Sequence, residues 1–507
     1  MVAISLKKEN ITHRTLSGFF WMFTGTGAHA VSQAIVLIVL ARLLTPVDFG
    51  LVGAALVVVS FSLIFSQLGI GPAIVQRPKL EQRHLRTGFT ISMLFGALLT
   101  GVISFMAPAI SGFFRMDGLT PVMRVMSFVF FLQGLSVVAE SLLQRDLRFH
   151  WLAGVQIVSF TIGYGVVGVS LALMKFGVWA LAWAHLGQAV LRLAMLLMVQ
   201  PHPKLPQFDR RSFSELIYFG GGFTAARIGN YIAGQGDKLV VGRWLGAEAL
   251  GLYGRAYQLM AMPASLFGQA LDKVLFPVMA TVQDEPERLA RAYRRGVALV
   301  ALLVLPTSVA CVVLAPELVH VVLGPQWVEV IVPFQIFAAG MLFRTSYKMG
   351  DSLARATGAV YRRAWRQAIY AAFVLGGAYV GKHWGISGVV IGVLGALTTN
   401  FILMAHLSLS LTPMTWRIFS MVHLPAIALA AIVFSEAWFA AMVMRSLAVS
   451  PIAVLAASAF LVTVTALVLL YLMPKVFLGK DGIWMFQTVS GYVSEKLEPL
   501  HRFQRGT

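Results

Sequence analysis

Between residues 17 and 473 the chain is a succession of apolar runs, each about 17 to 28 residues long, separated by short stretches of charge, Gly and Pro. A helix of that length crosses a hydrocarbon core about 30 Å thick, so the pattern dictates a polytopic membrane protein. The runs fall at about 17–41, 51–75, 88–113, 122–143, 152–174 and 178–199. After the polar stretch QPHPKLPQFDRRSFSE they resume at 216–241, 250–277, 296–323, 330–351, 367–383 and 386–409, with a last pair at 418–440 and 451–473. Lipid offers no partner to backbone N–H and C=O groups, and the strict alternation of barrel strands is missing. The expected fold is therefore all-α with about fourteen transmembrane helices. Composition agrees, with 58% hydrophobic and 12% charged residues where soluble domains carry about 25% charge.

Forty Lys and Arg against 21 Asp and Glu give a net charge of +19. In a soluble chain that excess would point to nucleic acid. Here it falls on alternate loops: Arg77, Lys79, Arg83 and Arg86; Arg145 and Arg148; Lys204, Arg210 and Arg211; Arg288, Arg291, Arg294 and Arg295; Arg355, Arg362, Arg363 and Arg366. With Arg417 and both termini, roughly 26 of the 40 cations lie on one side, which the positive-inside rule makes the cytoplasm. The charge reads as topology and attraction to anionic lipid, and no nucleic-acid partner is expected. The apolar stretch after residue 16 lacks a small-residue cleavage site and is read as the first span. The sequon Asn10-Ile11-Thr12 falls on the cytoplasmic side, where this glycosylation does not occur. The lone Cys311 sits in an apolar run and is read as packing.

The sequence repeats itself. ARLLTPVDFGLVGAA (41–55) and GRWLGAEALGLYGRA (242–256) align without gaps, matching Arg42 with Arg243, Leu44 with Leu245, Gly50-Leu51 with Gly251-Leu252 and Gly53 with Gly254. Ala107-Pro108 is echoed by Ala315-Pro316, and Phe176-Gly177-Val178 by Trp384-Gly385-Ile386. Each repeat holds six spans, an even number, so the two share one orientation about an axis along the membrane normal. The resulting division is a cytoplasmic N-terminus (1–16), an N-lobe (17–199), a cytoplasmic linker (200–215), a C-lobe (216–409), two further helices (418–473) and a cytoplasmic amphipathic tail (474–507).

ARLLTPVDFG together with LGIGPAIVQR (68–77), DKLVVGRWLGAEALGLY (237–253) and LGPQW (323–327) resembles bacterial polysaccharide flippases of the Wzx type, in the multidrug, oligosaccharidyl-lipid and polysaccharide exporter superfamily. The resemblance covers nearly the whole chain. It implies a twelve-helix core of two lobes around a central cavity, with two added C-terminal helices. It also implies transport of undecaprenyl-pyrophosphate-linked oligosaccharide across the bacterial inner membrane by alternating access.

The motif search is otherwise negative. Gly163-Tyr164-Gly165-Val166-Val167-Gly168 spells GxGxxG inside a span, where small residues serve close helix packing. Gly220-Gly221-Gly222 lacks the Lys-Ser/Thr of a phosphate loop, and the scattered histidines, including His29 and His185, have no metal-ligand spacing. No cofactor and no metal are expected.

The informative residues are cations inside spans: Arg124, Arg192, Arg227, Lys238, Arg255, Lys273, Arg344 and Lys348. Each costs several kcal/mol unless a partner or a wet cavity receives it. Arg227, Tyr231, Gly234 and Lys238 share one helical face, as do Arg255, Met262, Gln269 and Lys273, and Arg344, Tyr347, Lys348 and Asp351. Snorkelling is the competing reading, strongest for Arg124, Lys273 and Lys348 near helix ends. Arg227 resists it best, lying about 11 residues into its span. The expected site for an anionic head group is therefore Arg227, Lys238, Lys273, Arg255, Arg344 and Lys348. Membrane-embedded Asp237, Asp272, Glu317 and Glu436 are candidates for ion coupling and equally for salt bridges.

Ile483, Phe486, Val489, Val493, Leu497 and Leu500 describe an amphipathic helix for the membrane surface or a partner. The expected protein is a non-enzymatic flippase whose partners are the lipid-linked oligosaccharide, membrane lipids, and a polysaccharide polymerase with its chain-length machinery. A multidrug exporter would meet like-charge repulsion in such a cavity. A membrane glycosyltransferase or polymerase needs a sizeable outer loop, and the outer loops run only about three to ten residues.

Overall fold

The computed structural model describes residues 30, 32–66, 69–77, 80–201 and 207–477. Among them there is no strand. Among the described residues nine helices are long and apolar enough to cross a membrane, or ten if Pro325–Ala339 and Met341–Ala356, bent by 41°, form one broken span. The fold is all-α and multi-pass. The count differs from fourteen for identifiable reasons. Most of the first run lies outside the described residues. Val360–Ser410 passes as one stretch although it reverses at Lys382–Trp384. The charged Arg210–Thr281 helix, interrupted by non-helical Gly246 (φ 88°, ψ −175°), is not among the nine. Large apolar side chains such as Phe105 (88% exposed) and Phe460 (72% exposed) point outward, where acyl chains rather than water solvate them. The amphipathic tail lies outside the described residues apart from its first turn, Pro474–Phe477.

The described parts of Met1–Gly254 and Val322–Gln326 form one compact unit, and those of Arg255–Val321 and Trp327–Thr507 a second. In the first, the motif TPVD starts a helix. Thr45 caps Pro46–Ser66, its hydroxyl accepting from the Asp48 N–H at 3.3 Å, while Asp48 accepts from the Thr45 N–H at 3.0 Å and its hydroxyl at 2.7 Å. The span breaks before Ile70–Gln76, and Arg145 of Leu119–Arg145 caps that short helix, donating from Nη1 to the carbonyls of Ile74 (2.8 Å) and Arg77 (2.5 Å). Gln82–Phe114 and Leu119–Arg145 pack backbone to backbone: a Cβ on Gly96 would lie 2.6 Å from the Phe130 carbonyl oxygen, and one on Gly134 2.3 Å from that of Ser92.

The repeat echoes have structural counterparts. Gly177 (φ 56°, ψ −130°) and Gly385 (φ 67°, ψ −155°) both turn the chain into the next helix in a conformation that only glycine adopts without strain. The Ala-Pro echo differs locally. Pro108 sits inside Gln82–Phe114, whereas Pro316 opens the short helix Ala315–Val322.

In the second unit, Gly377 and Gly381 face Gly392 and Gly388 across the hairpin of Val360–Gly381 and Gly385–Ser410. Added Cβ atoms would meet the facing carbonyl oxygens at 2.2 to 2.6 Å. This is small-xxx-small packing used reciprocally by antiparallel helices. A bidentate ion pair ties Arg445 of Trp416–Ser446 to Glu317, with Nε–Oε1 and Nη2–Oε2 both 2.8 Å. Around it Val313, Leu314, Val433, Ala437 and Ala441 bury the apolar face of the C-terminal pair.

Candidate functional site

Met341–Ala356 is built as a two-faced helix. Met341, Leu342, Thr345, Met349 and Leu353 pack inward, and the other face carries Arg344, Tyr347, Lys348, Asp351 and Arg355. Position along this face separates two zones.

Toward the C-terminal end the charges neutralise one another. Arg355 Nη2 lies 2.5 Å from Asp272 Oδ1, its Nε lies 3.2 Å from Asp351 Oδ2, and Arg363 also pairs with Asp351. The Ser352 hydroxyl donates to Asp272, and the Arg355 guanidinium sits 4.8 Å over the Phe276 ring. Two carboxylates are thus held by two guanidiniums.

One to three turns deeper, Arg344 stands without that compensation, while Lys348 feels Asp272 and Asp351 only as carboxylates already held by guanidiniums. Arg344 rests 4.7 Å over the face of Tyr257 and hydrogen-bonds it, and Tyr257 in turn meets Phe337 edge-on at 5.6 Å. Among the described residues no carboxylate pairs with Arg344. Tyr347 and Tyr370 have ring centroids 6.4 Å apart beside it. Lys348 lies against Gly268, where an added Cβ would come within 2.9 Å of Nζ, and within electrostatic reach of Arg344, Asp272 and Asp351. Two neighbouring cations, one planar and one a point charge, set among phenol hydroxyls, offer the donors that a phosphate or diphosphate needs.

Of the expected cavity cations, Arg344 and Lys348 come together. Arg255 is half-buried in the same compact unit, and Lys238 is half-buried in the first unit. The side chains of Arg227 and Lys273 lie outside the described residues. The acids, expected either in ion coupling or in salt bridges, have partners of different kinds. Asp272 and Glu317 carry guanidinium partners, because each faces an arginine on a neighbouring helix. Asp237, 3% exposed, instead accepts from the Tyr253 hydroxyl at 2.5 Å and the Lys238 backbone N–H at 2.8 Å. Arg192 pairs with Glu140 at 2.7 Å, which accounts for one intramembrane cation as structure. Glu436 accepts from Thr465 at 2.7 Å. The GxGxxG glycines pack helices: Gly163 faces the Gln188 backbone and Gly168 the Ala184 methyl. Sequence reasoning passed over Tyr257 and Tyr370; their only signal was an aromatic placed near a basic residue, Tyr257 two positions after Arg255 and Tyr370 four after Arg366.

A family model described as polysaccharide biosynthesis protein matches residues 39–332. The teichuronic acid biosynthesis protein TuaB of Bacillus subtilis (strain 168) is 24% identical over 303 residues, 59% of this chain and 62% of that protein. The succinoglycan biosynthesis transport protein ExoT of Rhizobium meliloti (strain 1021) is 28% identical over 268 residues, 53% of this chain and 54% of that protein. The matches thus span between half and two thirds of the length of these relatives. Among solved structures, the lipid II flippase MurJ in an inward closed conformation superposes with a TM-score of 0.74 over 90% of this chain and 98% of that one. At 12% identity that likeness is one of fold.

Proposed function

The chain belongs to the polysaccharide biosynthesis protein family, and from that premise we propose that it is a flippase moving lipid-linked oligosaccharide across the bacterial inner membrane by alternating access. The observation that carries this reading is the Arg344–Lys348 pair, cationic, inside a span and set among tyrosines. Holding such charge within a membrane is costly unless it faces water or an anion, so its presence supports a site for an anionic head group. Undecaprenyl-pyrophosphate supplies that anion at the junction of a lipid tail, which lipid solvates, and sugars, which need a wet path. Arg344 grips phosphate oxygens with a planar fork and Lys348 adds a mobile point charge. Arg255, half-buried in the same compact unit, adds a third cation in this reading.

Asp237 serves as the coupling carboxylate, taking up and releasing a proton or small cation as the access side changes. Asp272 and Glu317 hold helices together. The basic loops and both termini face the cytoplasm, the two six-helix repeats act as lobes, and a polymerase with its chain-length machinery receives the product. A multidrug exporter of the same superfamily would need an interior that welcomes organic cations, which Arg344 and Lys348 oppose. Purified protein in vesicles, given labelled lipid-linked oligosaccharide on one face, tests the reading. Appearance of label on the far face supports it, and sugar transfer without translocation favours an enzyme.

A further inference from the structure

The first compact unit carries a polar tract of different chemistry. Phe149–Leu173 is one continuous helix, but Thr161–Gly168 within it is wound as a π-helix, a form that is rare and concentrated at functional sites. Two polar pairs issue from the widened turn. The Thr161 hydroxyl lies 3.0 Å from that of Ser32 on the Ser32–Leu43 helix, and the Tyr164 hydroxyl lies 3.0 Å from His185 Nδ1 on Val178–Val199. The Tyr164 ring stacks on Phe160 at 5.1 Å and 21°.

Depth and exposure together give the tract a direction. Thr161 is twelve residues from the helix end at Leu173, about 18 Å, and Ser32 eleven from Leu43, about 16 Å, so the hydroxyl pair sits near the middle of a core about 30 Å thick. Both groups are nevertheless reachable from outside the protein, Thr161 exposed and Ser32 partly so. An exposed hydroxyl pair at that depth has little to gain from acyl chains and belongs on a wet surface. One and two turns further along the His185 face stand Gln188 and Arg192, and the Arg192 charge is cancelled by Glu140. The tract is therefore hydrogen-bonding and neutral, unlike the cationic Arg344–Lys348 site.

We propose that the exposed Ser32–Thr161 hydroxyls and the Tyr164–His185 pair on the π-helical turn form a carbohydrate subsite. Hydroxyl and imidazole groups donate to and accept from sugar hydroxyls, and the half-buried Tyr164 ring offers apolar surface to sugar C–H groups. The inference rests on the flippase reading for its substrate, whose sugars this tract accommodates. It also explains why a neutral site is needed, since a second cationic cluster would compete for the head group.

The test compares two substrates in reconstituted vesicles: a labelled polyprenyl-pyrophosphate bearing the full oligosaccharide, and the same lipid bearing one sugar. Tyr164→Phe keeps the ring stack and Thr161→Val keeps the side-chain shape, so folding is preserved in at least one of them. Each is expected to slow the full oligosaccharide about five-fold at low substrate, the loss of roughly one hydrogen bond, while the single-sugar lipid stays within about two-fold. Equal slowing of both substrates, or of neither, overturns the subsite and leaves the flippase reading standing. If the wild-type protein moves neither substrate, the flippase reading fails, and the subsite is judged separately. In a chain with Cys311→Ser, free oligosaccharide must then protect Thr161→Cys from a maleimide, and absence of protection overturns it.

Discussion

Gly50 and Gly251, matched residues of the two sequence repeats, make the same contact reciprocally. A Cβ on Gly50 would fall 1.7 Å from the Ala247 carbonyl oxygen, and one on Gly251 1.9 Å from the Pro46 carbonyl oxygen. Pro46 and Ala247 are themselves matched by the repeat, so the two helix starts cross as a local two-fold would place them. Nothing but glycine permits backbones to meet this closely.

Gly50→Ala and Gly251→Ala should therefore each force the crossing apart and lower stability by at least about 1 to 3 kcal/mol, the cost of overpacking. The double variant should cost less than the sum, because the first methyl already opens the crossing. Thermal unfolding in detergent measures this, with Gly53→Ala as the control, since its Cβ would first meet Leu250 at 3.6 Å.

Arg445→Ala should reduce folded protein, because Glu317 is 7% exposed and would lose both of its guanidinium contacts. The expected cost is about 3 kcal/mol, the lower end for stranding a buried charge, since the Arg445 side chain is itself 42% exposed. Adding Glu317→Gln should recover much of the loss. Membrane abundance and unfolding temperature read the effect, and full stability of Arg445→Ala would remove the structural role assigned to the pair.

Asp237→Asn should retain substrate binding and lose the dependence of transport on an imposed ion gradient. Asp272→Asn should leave that dependence in place and act through stability. Initial flipping rates with and without a gradient separate the two, and gradient-driven transport by Asp237→Asn would return the search to Glu436.

Residues 352–366, with Arg355, Arg362 and Arg363, should face the cytoplasm. After Cys311→Ser, a cysteine at Gly358 should escape an impermeant maleimide added outside intact cells and react once the membrane is opened. Labelling in intact cells would reverse the topology.

The helices were legible because hydrophobic runs of this length have one solution in lipid, whereas the TPVD cap and the turns at Gly177 and Gly385 stood in the sequence only as repeat echoes. The glycine repeat at 50 and 251 was legible as an echo, although its meaning as a contact was not. Period 3.6 reveals which residues share a face, and so grouped Arg344 with Lys348. It does not reveal which faces meet. Arg192 finds Glu140 52 residues away and Arg445 finds Glu317 128 residues away, so acids that looked alike in sequence became different things in space. Asp237 stands apart from Asp272 and Glu317 only once their neighbours are known.

The central claim is that Arg344 holds the anionic head group of a translocated lipid, and flipping by Arg344 variants in vesicles tests it most directly. Arg344→Ala should reach normal abundance, since no carboxylate is stranded, and lose flipping of lipid-linked oligosaccharide at least about ten-fold, while Arg344→Lys should recover part of the rate. Flipping at the wild-type rate by well-folded Arg344→Ala would contradict the account.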